Sequence, residues 1–146
     1  MSTEVDPAAF AKVVADTPDE QLAEGMASEN RAIVLEGIFQ QMEEHFDAGG
    51  AQGIDAIVDW KIFDRPEGGY DHWRIEIADG ACRVHDQPDE RPARVTFRIK
   101  PVDFLKLVTG NASGPQMFIT GKLKIEGDLM FAARVQGFFK IPDAPS

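Results

Sequence analysis

The sequence predicts an α+β domain: one five-stranded, mainly antiparallel sheet with helices against it. Three observations carry that reading. "YDHWRIEIADGACRVHD" sets two alternating runs around Asp79-Gly80, the strongest short-range hairpin signal. Helices and strands come in the order helices, three strands, a fourth strand, helix, a fifth strand, helix, without the regular alternation of a parallel sheet. Finally, 146 residues at 43% hydrophobic and 27% charged suit one domain that buries roughly 70% of its unfolded surface.

The chain opens with two helix starts. In "DPAAFAKVVAD" Asp6 is placed to cap and Pro7 sits at the first helical position. In "TPDEQLAEGM" Thr17 and Glu20 have capping-box spacing. Ser28 begins a longer helix that runs to Phe46 and stops at Gly49-Gly50. Its Ala32, Leu35, Ile38, Phe39, Met42 and Phe46 form one apolar stripe. In "GIDAIVDWKIFDR" Ile54, Ala56, Val58, Trp60 and Ile62 share a strand face. Asp55 and Asp59 share the other and read as surface charge.

A two-residue turn at Asp79-Gly80 pairs Ile77 with Cys82 and Ile75 with Val84 on the buried face. It also pairs Glu76 with Arg83 outside, beside His72, Arg74 and His85, so one register satisfies both faces. After the polar loop "QPDERPA", the strand "RVTFRIK" points Val95, Phe97 and Ile99 inward. Pro101 starts a short helix with Phe104, Leu105, Leu107 and Val108 on its apolar face, stopped at Gly110. Pro115 to Thr120 suits a further helical turn. Leu123 and Ile125 alternate with Lys122, Lys124 and Glu126 in the last strand. Asp128 then caps a helix in which Leu129, Met130, Phe131, Ala132, Ala133, Val135, Phe138 and Phe139 surround the axis.

Charge is unevenly distributed. Residues 1–59 hold 13 Asp and Glu against Lys12 and Arg31, a net of −11, whereas residues 60–146 hold 12 acids and 13 bases, a net of +1. That balance argues against a nucleic-acid partner, which requires clustered Lys and Arg. It reads as a solvated acidic helical surface. Cys82 is the single cysteine and fits a reducing compartment. With neither a secretory signal nor a run of about 20 apolar residues, a cytoplasmic protein is expected. The "NAS" at Asn111 to Ser113 then reads as a loop rather than a glycosylation site.

Chemistry-bearing motifs are scarce. The sequence lacks GxxxxGK[ST], GxGxxG after a strand, and GxSxG. His72 and His85 share the outer hairpin face without a third ligand by pattern, so neither a metal nor a cofactor is expected. Cys82, on the inward face, reads as a buried inert thiol. What stands out is surplus hydrophobicity: ten Phe, five Met and two Trp, many of them in helical stretches. A helix apolar all round must be covered on every side. Other helices, a partner chain or an apolar ligand are the three available covers.

"VTFRIKPVDFLKLVTGNASGPQMFITGKLKIEGDLMFAARVQGFF", Val95 to Phe139, resembles the sterol carrier protein 2 superfamily. Strand, "DFLKLVTG" helix, "GKLKIEGD" and apolar helix occur in that family's order and spacing, and the likeness extends loosely back to Ser28. The resemblance implies helices packed on one face of the sheet, enclosing an apolar tunnel that binds fatty acids, fatty acyl-CoA or sterols without catalysis. It divides the chain into an acidic helical extension (1–27), a lipid-binding domain (28–142) and a short tail (143–146). The tunnel lining it implies is Leu35, Phe39 and Met42 from the first long helix, Trp60 from the first strand, and Phe104, Leu105 and Val108 from the Pro101 helix. Met117 and Phe118 follow, with Met130, Phe131, Ala133 and Phe138 from the last helix. Gly121 and Gly127 would permit the tight turns into and out of the last strand. The chain ends "DAPS", without the small-basic-Leu tripeptide of peroxisomal members. Three roles then compete: a lipid carrier, an accessory subunit of an enzyme on hydrophobic substrates, and a small enzyme on such substrates. The expected partner is a lipid or another apolar small molecule, with at most transient membrane contact. A homodimer or an enzyme partner is the further alternative.

Overall fold

The computed structural model describes residues 7–44, 46, 49, 53–86 and 89–135. In chain order these form α1 (Pro7–Asp16), α2 (Asp19–Met26), α3 (Asn30–Glu44), β1 (Ala56–Ile62), β2 (Asp71–Ala78), β3 (Ala81–His85) and β4 (Val95–Ile99). There follow α4 (Pro101–Val108), α5 (Gly114–Ile119), β5 (Leu123–Gly127) and α6 (Leu129–Val135).

The five strands make one sheet in the order β3-β2-β1-β4-β5. Three pairings are antiparallel and the fourth, β1 with β4, is parallel. The β2–β3 hairpin has the expected register: Ile77 opposite Cys82, Ile75 opposite Val84, and Glu76 opposite Arg83. Asp79 and Gly80 both take positive φ, 53° and 75°, as a type I′ turn requires. The same alternation puts Val58, Trp60, Ile62, Trp73, Ile75, Ile77, Val95, Phe97, Ile99 and Leu123 on one face, where the core lies.

The helices supply the other half of that core. Leu35, Ile38 and Phe39 of α3, and Phe104, Leu105 and Leu107 of α4, are buried. Helices α1 and α2 pack against α4, burying Val14, Leu22 and Met26, while Phe10 is half-buried and Val13 faces solvent. Lys106 on α4 pairs with Asp19 at 2.7 Å, and Asn111 donates to the Ala11 carbonyl at 3.0 Å. The amino-terminal helices are therefore fused into the core beside the sheet.

Local signals were obeyed where the backbone alone decides. Ser113 caps α5 by accepting from Gln116 N–H. Asp128 caps α6 by accepting from Phe131 N–H at 3.0 Å. Gly127, at φ 102°, ends β5 so close to Arg94 that a Cβ would lie 2.5 Å from the Arg94 carbonyl oxygen, so only glycine fits.

Three expectations fail. The Thr17–Glu20 capping box does not form: Thr17 turns back to donate to the Val13 carbonyl and closes α1, leaving Pro18 at the N-cap of α2. The stripe of α3 runs through Arg31 rather than Ala32, which is exposed, because Arg31 finds acceptors in the interior. Helix α6 is not covered all round. Phe131, Ala132 and Val135 are buried, but Leu129 and Met130 are 53% and 83% exposed, and Ala133 is also exposed. One side of α6 packs on β4 and β5, and nothing among the described residues shields the other. The Asp6 cap, Phe138, Phe139 and the residues after them lie outside the described residues.

Candidate functional site

Between the inner sheet face and helices α3 and α4 lies a cluster of five aromatic rings. Phe39 of α3 stacks on Trp73 of β2 at 4.6 Å and on Phe104 of α4 at 5.5 Å. Trp60 of β1 stacks on Phe97 of β4 at 4.6 Å and meets Phe104 edge-on at 5.3 Å. The strand period brings Trp60, Trp73 and Phe97 side by side, since Trp60 is opposite Trp73 on one flank and Phe97 on the other. Leu35, Leu105 and Met117 are buried in the same continuous apolar cluster. Such offset and edge-on geometries suit the ring quadrupoles.

Of the residues implied to line a tunnel, Leu35, Phe39, Trp60, Phe104, Leu105, Met117 and Phe131 are buried in this core, and Met42 and Val108 are half-buried at its margin. Three are not brought there. Phe118 is 44% exposed because Met117, one position earlier on the short α5, takes the inward direction. Met130 and Ala133 lie on the solvent side of α6, roughly opposite Phe131 and Val135. Phe131 is covered by the Arg94 guanidinium, 4.0 Å above its ring. Phe138 lies outside the described residues. Sequence reading missed Trp73 and Phe97 as members of the cluster; the shared face with Trp60 was the available signal.

Polar groups are kept at the edges of this interior. Arg31, 4% exposed, uses all five of its N–H donors. They go to Asp71 Oδ2 (2.7 Å) and to the carbonyls of Ile62 (2.7 Å), Phe63 (2.8 Å), Asp64 (3.0 Å) and Met26 (3.4 Å). That set of acceptors fixes the start of α3 to the end of β1, and it lets a cation be buried at all. Glu43 accepts from the Val84 N–H at 3.0 Å, tying α3 to the sheet edge.

The opposite sheet face holds a second polar feature, and it corrects the reading of Asp59 and Arg74 as solvated. Both are almost wholly buried, at 4% and 3% exposure. Arg74 donates through Nε and Nη2 to Asp59 at 2.8 and 3.0 Å, and through Nη1 to Asp89 at 2.8 Å. His72 Nε2 is 2.9 Å from Asp59, and Arg91 joins Asp89 to Glu76. Burial would push the Asp59 carboxyl up, but hydrogen bonds from Arg74 and His72 outweigh it and the group ends below its usual range. Arg91 likewise holds Glu76 and Asp89 low. No signal within one strand announces this pair, because Asp59 and Arg74 meet only across β1 and β2.

Cys82 is buried as expected, and burial, with Glu43 nearby, pushes its thiol up to about 12. Among the described residues, no three His, Cys, Asp or Glu side chains are grouped to hold a metal, and no helix is long and apolar enough to cross a membrane. An open hollow of about 550 Å³ lies at the α2–α3 junction, lined by Ala27, Ser28, Glu29, Asn30, Pro66 and Glu67; its lining mixes polar and apolar groups, unlike the aromatic interior.

The model of the SCP-2 sterol transfer family matches residues 36–140. Sterol carrier protein 2 of Homo sapiens is 30% identical over 102 residues, covering 68% of this chain and 18% of the human protein. This chain thus spans under a fifth of that relative's length. A fatty acid-binding protein of Yarrowia lipolytica is 24% identical over 109 residues, covering 74% of this chain and 84% of the yeast protein. Two solved structures share the fold. Palmitated SCP2L2 of Aedes aegypti has a TM-score of 0.59 at 18% identity, covering 70% of this chain and 91% of the mosquito protein. The sec-alkylsulfatase Pisa1 of a Pseudomonas species has a TM-score of 0.60 at 19% identity, covering 80% of this chain but 17% of the sulfatase.

Proposed function

The chain belongs to the SCP-2 sterol transfer family, and from that membership we propose that it is a non-catalytic carrier. It takes an apolar lipid (a fatty acid, a fatty acyl-CoA or a sterol) between the sheet and helices α3 and α4, and transfers or presents it in the cytoplasm. The observation that carries this reading is the character of the aromatic interior. Among the described residues the buried charged side chains are Arg31, Asp59 and Arg74. Arg31 is saturated by its own acceptors, and the other two lie on the far face of the sheet. A cavity opened within the cluster would thus present rings and aliphatic groups, with no carboxylate, imidazole or amine for acid–base work. The names of the human and yeast relatives, a sterol carrier and a fatty acid-binding protein, agree with it.

A second reading, an accessory domain for an enzyme on hydrophobic substrates, has its own support. Phe118, Ile119, Leu129 and Met130 offer exposed apolar side chains that a partner or a second copy of the chain could cover. The sulfatase, too, contains a region of this fold. Native mass spectrometry of the purified protein, followed by lipid extraction, tests the carrier reading. A co-purifying lipid, or uptake of added palmitate or cholesterol at one equivalent, is the expected result. Protein that emerges ligand-free and takes up neither would sink the carrier role and leave the accessory one.

A further inference from the structure

Among the described residues three buried ring nitrogens stand out: His72 Nε2, His85 Nε2 and Trp60 Nε1. The two histidine nitrogens face carboxylates, at 2.9 Å from Asp59 and 3.5 Å from Glu76. Trp60 is different. Its side chain is 6% exposed, it points into the aromatic interior, and among the described residues its N–H has no acceptor. A buried donor left without a partner forfeits the bond it made to water, so natural structures seldom keep one without a reason. The indole is also held in place. Trp60 sits on the central strand, stacked on Phe97 at 4.6 Å and set edge-on to Phe104 at 5.3 Å, so it cannot turn its N–H out to solvent.

Building on the carrier reading, we infer that the Trp60 Nε1–H is the polar contact of the lipid site, donating a hydrogen bond to an oxygen on the lipid's head. A fatty-acid carboxylate and a sterol hydroxyl both supply such an acceptor. Of the rest of the cluster, Phe39, Phe97 and Phe104 offer only ring surface, and the Trp73 indole N–H is not among the buried polar atoms left without a partner. One fixed donor in apolar surroundings orients a ligand without adding reactivity. It also favours lipids with an oxygen over plain hydrocarbon, because a ligand lacking the acceptor leaves the donor unsatisfied. The competing account is an N–H directed onto the Phe104 ring, a weak interaction that needs no ligand.

The two accounts differ in an observable. In ¹⁵N-labelled full-length protein the chain's two tryptophans, Trp60 and Trp73, give two indole N–H signals. Trp60→Phe and Trp73→Phe assign them, and either variant alone suffices. Sodium palmitate and cholesterol are titrated separately, with n-hexadecane as the matched hydrocarbon. The expected result is a downfield shift of the Trp60 N–H with palmitate, cholesterol or both, and none with hexadecane. The arm that responds tells carboxylate from hydroxyl. Trp60→Phe, which keeps a ring in place, is expected to weaken binding of the responding lipid about tenfold, equivalent to about 1.4 kcal/mol, and to leave hexadecane within about twofold. A lipid that binds while the Trp60 signal stays put or moves upfield overturns this inference and leaves the carrier reading standing. Failure of both lipids to bind overturns the carrier reading and this inference with it.

Discussion

Asp59→Asn tests the polar feature on the outer sheet face. The substitution keeps the size of the side chain and removes its charge. Arg74 then remains 3% exposed with Asp89 as its charged partner, and Asp89 itself is largely exposed. Breaking a buried pair typically costs about 3–5 kcal/mol. Because Asp89 stays and the amide oxygen still accepts, the cost here falls just below that range, at about 2–3 kcal/mol. For a chain of this size, that corresponds to a fall in Tm of roughly 4–12 °C.

The same carboxyl links stability to pH. Its folded pKa lies below the ordinary carboxylate value of 3.8, so its contribution is present above about pH 4 and lost as pH falls through the folded value. Urea titrations from pH 7 to pH 3 should therefore show a shallower acid loss in Asp59→Asn than in the parent. Glu76, Asp89 and Asp128 are also held low and account for the remaining slope. Lipid affinity should not change, since the pair faces away from the aromatic cluster. A cost below about 0.5 kcal/mol, as for an ordinary surface change, would refute the claim that this pair is buried and mutually dependent.

Other expectations follow from burial. Phe104→Ala should cost about 3–5 kcal/mol in chemical denaturation, because the ring is wholly enclosed and touches Phe39 and Trp60. A much smaller cost with weaker palmitate binding would make Phe104 the wall of a cavity instead. Cys82 should react slowly with a thiol reagent in native protein and quickly once unfolded, since it is buried and its thiol is pushed up to about 12; rapid native labelling would contradict the hairpin register. Deleting residues 1–27 uncovers α4 and removes Val14, Leu22 and Met26 from the core. At roughly 1.5–3 kcal/mol per buried side chain, the truncated protein should lose several kcal/mol or fail to fold. Unchanged unfolding free energy with faster lipid release would make that segment a lid.

The hairpin and the cap at Asp128 were legible in the sequence because their causes lie within a few residues. Asp79-Gly80 selects a turn whose twist suits its strands, and alternation then sets which side chains share a face. The aromatic cluster was half legible. Phe39, Trp60 and Phe104 could be read from helix and strand periods, yet that Trp73 and Phe97 flank Trp60 depends on strand order. Periodicity names a face without saying what lies against it. Met130 and Ala133 belong to an apolar helix, but only the packing of α6 on β4 and β5 decided that they point away from the core.

Charge shows the same division. The acidic excess of the first 59 residues is written in the sequence. The burial of Arg31, Asp59 and Arg74 is not, because each became affordable only through acceptors or donors 15 to 40 positions away. A charged side chain reads as exposed from its own neighbourhood, since desolvation opposes burial and its compensation is non-local. The sequence by itself thus determined the elements, the inward faces of the strands and the family. The tertiary structure decided which faces are covered and where the charges hide, because both depend on partners that only folding brings within a few ångströms. It also decided that one indole N–H is left in the apolar interior without an acceptor among the described residues.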